Sequence, residues 1–247
     1  MISAIKAEFI KAFTTRSFLG LLIGAAAVAA LGAFSVIMSA QPSRLDGPIH
    51  RETQFYLASI NISLFAVIVG IKAFTDEFRH GSIIPTFLAT PSRSGVVAVK
   101  VVVAFILGAA LGLAATIVMV LLSVPLASVK GGALRFALAD AAAVGGLALA
   151  AGLWAAVGVG LGAAIRSQVP ATVGALVWIL VVENLGTANF GDGGRFLPGQ
   201  AGHALASAGQ TDDLLAAPVA LVVLVLYVVL TTVVGLVLLL RRDIRPA

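Results

Sequence analysis

The chain has 247 residues, of which 60% are hydrophobic and 11% charged, with a net charge of +5 and no cysteine. Soluble domains run near half apolar and a quarter charged, so a mean hydropathy of +1.09 excludes a water-soluble fold. Disorder, disulfide scaffolds, thiol catalysis and thiolate metal sites are excluded with it. What remains is an all-α integral membrane protein. A β-barrel would alternate in polarity over segments of about ten residues, whereas runs such as 118–122 and 236–240 are apolar on every side.

In residues 1–16, Ile2, Ile5, Phe9 and Phe13 recur at helical spacing, with Glu8 and Lys11 on the far side and Lys6 at the edge. This pattern predicts an amphipathic helix lying in the inner membrane interface. No small-residue cleavage site follows a short apolar core, so it does not read as a signal peptide. A spanning helix needs ~20 predominantly apolar residues. Charge-free runs predict six of them, at about 18–40, 55–74, 97–124, 141–165, 169–186 and 218–240. Gly20/Gly24, Gly108/Gly112 and Gly158/Gly162 each make a GxxxG spacing that permits close helix approach. Trp154, Trp178, Tyr56 and Tyr227 read as lipid-facing or interfacial side chains.

The basic residues set the expected orientation. With both termini cytoplasmic, the inner side carries Lys6, Lys11, Arg16, Lys72, Arg79, Arg93, Lys100, Arg166, Arg241, Arg242 and Arg245, and the outer side only Arg44, Arg51, Lys130, Arg135 and Arg195. The positive charge is thus accounted for by membrane orientation. A nucleic-acid partner would want a basic stripe with aromatic companions, and the chain has none.

Polar residues within spans are costly and therefore candidates for function. Asn61 falls in the outer half of the second span and reads as an interhelical hydrogen-bonding group or, with Glu183 and Asn184, as part of a translocation pathway; Asp140 reads as an acid at a helix amino end. Glu183 and Asn184 close the fifth apolar run. They read either as part of a translocation pathway or as a solvated helix end.

The segment 75–96, after the second span, is the most informative. If it is helical, Asp76 reaches Arg79 and His80 at i+3 and i+4, while Phe78 and Ile83 are available for packing. Gly81, Pro85 and Pro91 limit the helix. On composition alone this is a short charged element at the inner surface, or an ordinary basic loop. The string Glu77-Phe78-Arg79-His80-Gly81-Ser82, followed by Thr90-Pro91, Arg93 and Lys100, resembles the corresponding loop of permease subunits of type-2 ATP-binding-cassette exporters of the drug and bacitracin kind. The resemblance implies that Asp76 to Ser82, with Thr90, Pro91 and Arg93, form a coupling helix docking on an ATPase subunit. It also implies two permease subunits, homodimeric or heterodimeric, two ATPase subunits carrying ATP and Mg, and an outer segment at 187–217 that re-enters the membrane as short helices. Pro85 departs from the family pattern in mid-loop.

The chain has no phosphate-binding Gly-x-x-x-x-Gly-Lys motif, no Gly-x-Ser-x-Gly elbow and only scattered histidines. ATP hydrolysis is expected in a partner, and no cofactor or metal on this chain. The expected function is export of hydrophobic or amphipathic compounds (a drug, a peptide antibiotic or a lipid) across a bacterial inner membrane. The alternatives are an ion-coupled secondary transporter using Glu183 and a non-transporting sensor or assembly subunit.

Overall fold

Without water to compete for backbone groups, long apolar runs must satisfy their own amides, and helices do this within one segment. The computed structural model describes residues 2–45, 47–83, 85, 92–132, 134, 138–207 and 214–241, and all regular structure among them is helical. Thr90 and Pro91 of the loop motif lie outside the described residues. The α-helices whose bounds fall among the described residues are α1 (Ile2–Thr14), α2 (Arg16–Ser39), α3 (Pro48–Arg79), α4 (Arg93–Val129), α5 (Leu138–Ile165), α6 (Gln168–Val177), α7 (Glu183–Asn189), α8 (Pro198–Ala206) and α9 (Ala217–Arg241). A π-helical turn, Trp178–Val182, joins α6 to α7.

Among the described residues, six segments are long and apolar enough to cross a membrane: Arg16–Ser39, Glu52–Arg79, Arg93–Val129, Asp140–Ile165, Gln168–Asn189 and Ala217–Arg241. They correspond to the six predicted spans, and the protein is a multi-pass membrane protein. The second and third run past their predicted ends. Asp76 to Arg79 are the last turn of α3 itself, and no separate helix begins at residue 75. The helix stops where Gly81 adopts φ +67°, a left-handed conformation that glycine takes without a Cβ penalty. The Ser92 side chain caps the start of α4 by accepting from the Gly95 amide at 3.1 Å.

α5 is the hub and packs against α3, α4, α8 and α9. In its most apolar window 72% of residues are buried, against 17% for α9. Glycine makes the approach possible. A Cβ added at Gly108 would lie 2.5 Å from that of Ala155, and one at Gly112 would lie 2.6 Å from that of Ala151. Gly158 and Gly162 of α5 likewise meet the α3 backbone at Val67 and Ile71, whereas Gly20 faces open space, so two of the three predicted pairs are packed at both positions.

α8 forms within the predicted outer segment and lies beside the spans rather than beyond their ends. Gly146, about 12 Å along α5 at 1.5 Å per residue, abuts the Leu205 carbonyl. Trp154, expected at a lipid or interfacial surface, is instead 3% exposed, because α8 covers that face of α5. Trp178, Tyr56 and Tyr227 remain partly or well exposed.

Candidate functional site

At the end of the bundle where α1 lies, two acids and two bases meet. Glu8 and Lys11, three residues apart on α1, pair at 2.8 Å. Lys100 is 1% exposed; it donates to Glu8 Oε2 at 2.8 Å and to the Ala73 carbonyl at 2.8 Å, and its ammonium forms an ion pair with Glu77 Oε1 at 3.0 Å. Lys11 donates to the same Glu77 oxygen at 2.7 Å. One carboxylate thus binds α1 and α4 to the end of α3.

Sequence periodicity put Glu8 and Lys11 on the side of α1 away from its apolar arc, and the structure turns that side toward α3 and α4. The signal that could have revealed this was Lys100, a cation within the apolar third span that needed partners. Glu77, expected to face a partner, is 5% exposed and holds the chain's own helices together. Asp76 pairs with Lys72 at 3.0 Å, one turn back, where the helix is complete. It does not clasp Arg79 or His80: the helix ends at Arg79, and His80 Nδ1 lies 2.8 Å from the Asp76 carbonyl rather than its carboxylate. Phe78 stacks on Phe74 with centroids 5.8 Å apart and lies beneath the Arg166 guanidinium at 5.5 Å. Ile83 is buried in the main core.

Arg93 also turns inward, donating to the Leu239 carbonyl at 3.1 Å, and Arg166 donates to Leu238 at 3.1 Å. Both place positive charge on the carbonyl end of α9, where the helix dipole favours it. Of the loop residues, Arg79, His80 and Gly81 are exposed and Ser82 is half-buried.

Burial works against ionisation of Glu8, but the Lys100 and Lys11 ammoniums outweigh it and hold its carboxyl below the ordinary range. Burial also opposes charge on Lys11, and hydrogen bonds to Glu77 and Glu8 overcome it and raise its value. The Glu8 contribution is therefore complete above the ordinary carboxylate value and is lost as pH falls through the depressed one. The Lys11 contribution is complete below the ordinary lysine value and is lost as pH rises through the raised one. α1 is expected to dock most firmly between these limits and to loosen on acidification below the ordinary carboxylate range. A spin label on Ala7→Cys, an exposed position in a chain without other cysteines, should gain mobility at that pH and not at neutrality.

The other predicted residues lie toward the opposite end. Glu183 is 5% exposed, so it is not a solvated helix end. Its Oε1 accepts from the Gly199 amide at 2.8 Å, in the first turn of α8, and from Trp178 Nε1 at 3.2 Å. The π turn explains its inward position. Ala171, Ala175, Ile179 and Glu183 are all buried at steps of four, which at about 100° per residue would drift about 120° around an α-helix. The Glu183 amide bonds instead to the Trp178 carbonyl, five residues back. This adds one residue to the turn and returns Glu183 to the buried stripe.

The adjoining cavity, bounded by Tyr56, Ser59, Ser63 and Glu183 among others, is about 20 Å³, room for one water and not for a substrate. Asn184 is exposed and bonds to the Leu180 carbonyl at 2.8 Å. Asn61, expected to bridge helices, bonds within its own helix to the Leu57 carbonyl at 2.8 Å, because a half-buried amide reaches the carbonyl one turn back first. Asp140, read as an acid at a helix amino end, stands in the first turn of α5. The structure therefore brings Glu77, Arg93 and Lys100 to one end and Glu183 to the other, and joins neither Asn61 nor Asn184 to Glu183 by a hydrogen bond of its amide.

No protein-family model matches the chain, and no curated protein matches it. Its function is therefore read from its own residues and geometry.

Proposed function

We propose that the chain is the membrane-spanning subunit of an ATP-driven exporter of hydrophobic or amphipathic compounds. In this reading it lies in a bacterial inner membrane with both termini cytoplasmic and α1 in the inner interface. It pairs with a second permease subunit and with two ATP-binding-cassette ATPase subunits that hold the ATP and Mg. The observation that supports this best is the turn Arg79–Gly81. Its residues are exposed, while Glu77, two positions earlier, is fixed to α1 and α4 through buried ion pairs. A force applied by a partner at that turn passes directly into three helices. Closure of the ATPase pair would shift the bundle between inward- and outward-open states, provided nucleotide and substrate each bind the two states with different affinity.

The coupling role thus narrows from the whole loop to its exposed part. Arg79→Ala combined with His80→Ala is expected to leave bundle stability within about 0.5 kcal/mol, as exposed substitutions do. The same change should weaken association with the ATPase by about tenfold, equivalent to ~1.4 kcal/mol. Co-purification and transport in liposomes measure both. Unchanged association would remove the turn as a docking element. Gradient-driven transport by the chain alone would replace this reading with an ion-coupled transporter. ATPase stimulation without substrate movement would indicate a sensor or assembly subunit.

A further inference from the structure

A cavity of about 360 Å³ opens among α1, α2, α3 and α4. Its polar part includes Glu8, Lys11, Lys72, Asp76, Glu77 and Lys100, three carboxylates and three ammoniums, with His80 and three hydroxyl side chains beside them. Its apolar part is formed by Phe18, Leu21, Val103 and Leu107, which lie deeper along the spans. One group in this lining is incomplete. Glu77 Oε1 accepts from Lys11 and pairs with the Lys100 ammonium at 3.0 Å, while Oε2 is buried and has no hydrogen-bond partner. A buried carboxylate oxygen without a donor is unfavourable, and here it belongs to a side chain that lines the cavity, where a donor from outside the chain can be accommodated.

We propose that this cavity binds the headgroup of a zwitterionic membrane phospholipid bearing a primary ammonium, of the phosphatidylethanolamine class. The ammonium is placed toward Glu77 and Asp76, and the phosphate toward Lys11 and Lys72. Three features select this chemistry. The lining charges cancel, so a ligand with one charge of each sign is matched where a purely anionic or cationic one is not. The unpartnered oxygen requires an N–H or O–H donor, which an ethanolamine ammonium has and a quaternary choline lacks.

The apolar wall continues from the charges into the span, as a lipid does from headgroup to chain. The volume suits a headgroup and the first chain carbons, with the rest of the chains outside among the exposed apolar faces of α2 and α4. Because Glu8 and Lys11 come from α1 and the rest from α3 and α4, the lipid would hold α1 in place as a third component of the ion cluster. The inference requires only that the chain is a membrane protein. It stands whether or not an ATPase is the partner.

The test uses the full chain purified in a neutral detergent and titrated separately with short-chain phosphatidylethanolamine, phosphatidylcholine and phosphatidylglycerol. Native mass spectrometry counts bound lipid, and thermal unfolding reads the stabilisation that preferential binding to the folded state produces. The ethanolamine lipid is expected to raise the midpoint by about 3 °C or more and the other two by less than about 1 °C. Leu21→Trp and, independently, Val103→Phe fill the apolar wall without altering any of the six charges. Each is expected to abolish the ethanolamine effect; Leu21→Trp, at a half-buried position, should retain the lipid-free midpoint, whereas Val103→Phe, in the core, should lower it by a few degrees and still show no lipid shift. Equal shifts with ethanolamine and choline lipids would overturn the proposal. So would a larger shift with the glycerol lipid, which would indicate an anion site, or persistence of the ethanolamine effect in whichever wall-filled variant folds.

Discussion

Lys100→Met is expected to cost the bundle about 3–5 kcal/mol, the loss typical of removing one partner from a buried ion cluster. The methionine fills nearly the same volume, so the loss arises from Glu8 and Glu77, left with a single half-exposed lysine between them. For a chain of this size it should appear as a fall of about 10 °C in the thermal midpoint. Replacing Glu8 and Glu77 by Gln in the same protein should recover much of it, since the unpaired buried charges are then gone. Glu77→Ala should also destabilise, with α1 detached, so lost transport in that variant alone would not identify a coupling residue. An unchanged midpoint in Lys100→Met would mean that the cluster contributes nothing to holding α1.

Glu183→Ala is expected to cost about 3 kcal/mol, because it removes the acceptor of two donors, the Gly199 amide and Trp178 Nε1, and a buried donor left unpaired costs ~1–3 kcal/mol. Glu183→Gln retains an acceptor oxygen and should lose far less. Thermal unfolding of the pair separates anchoring from chemistry. If Gln preserves both stability and transport, the carboxylate serves to fasten α8 to the fifth span. If it preserves stability and abolishes transport, the proton or charge of Glu183 takes part in translocation. Gly199→Ala tests the same contact from the other side, since its Cβ would collide with the Glu183 carboxylate.

The six spans were legible because hydrocarbon imposes a single requirement on every residue of a span, and composition records it directly. The glycine faces of α4 and α5 were legible for a related reason, as close approach leaves room only for hydrogen. Three things were not. The inward turn of Glu8 and Lys11 depends on which of two polar neighbours α1 meets, solvent or Lys100, and periodicity within α1 cannot distinguish them. The burial of Glu183 depends on an extra residue in one turn, which breaks the 3.6 period from which a face is read. The end of α3 was placed too early because Asp76 and Glu77 were taken as leaving the span, when Glu77 is buried beside Lys100 at the helix's last turn.

The ion cluster also has an electrical consequence. The charges that α1 contributes to the buried site, Glu8 and Lys11, cancel, and so do Glu77 and Lys100 on the helices that receive them. Lys6 stays exposed whether or not the helix is seated. A membrane potential acts on net charge displaced, at ~2.3 kcal/mol per elementary charge per 100 mV. Seating or releasing α1 transfers none between water and the protein interior. The amino-terminal helix can therefore engage and disengage at the surface of an energised membrane at a free energy that is nearly independent of voltage.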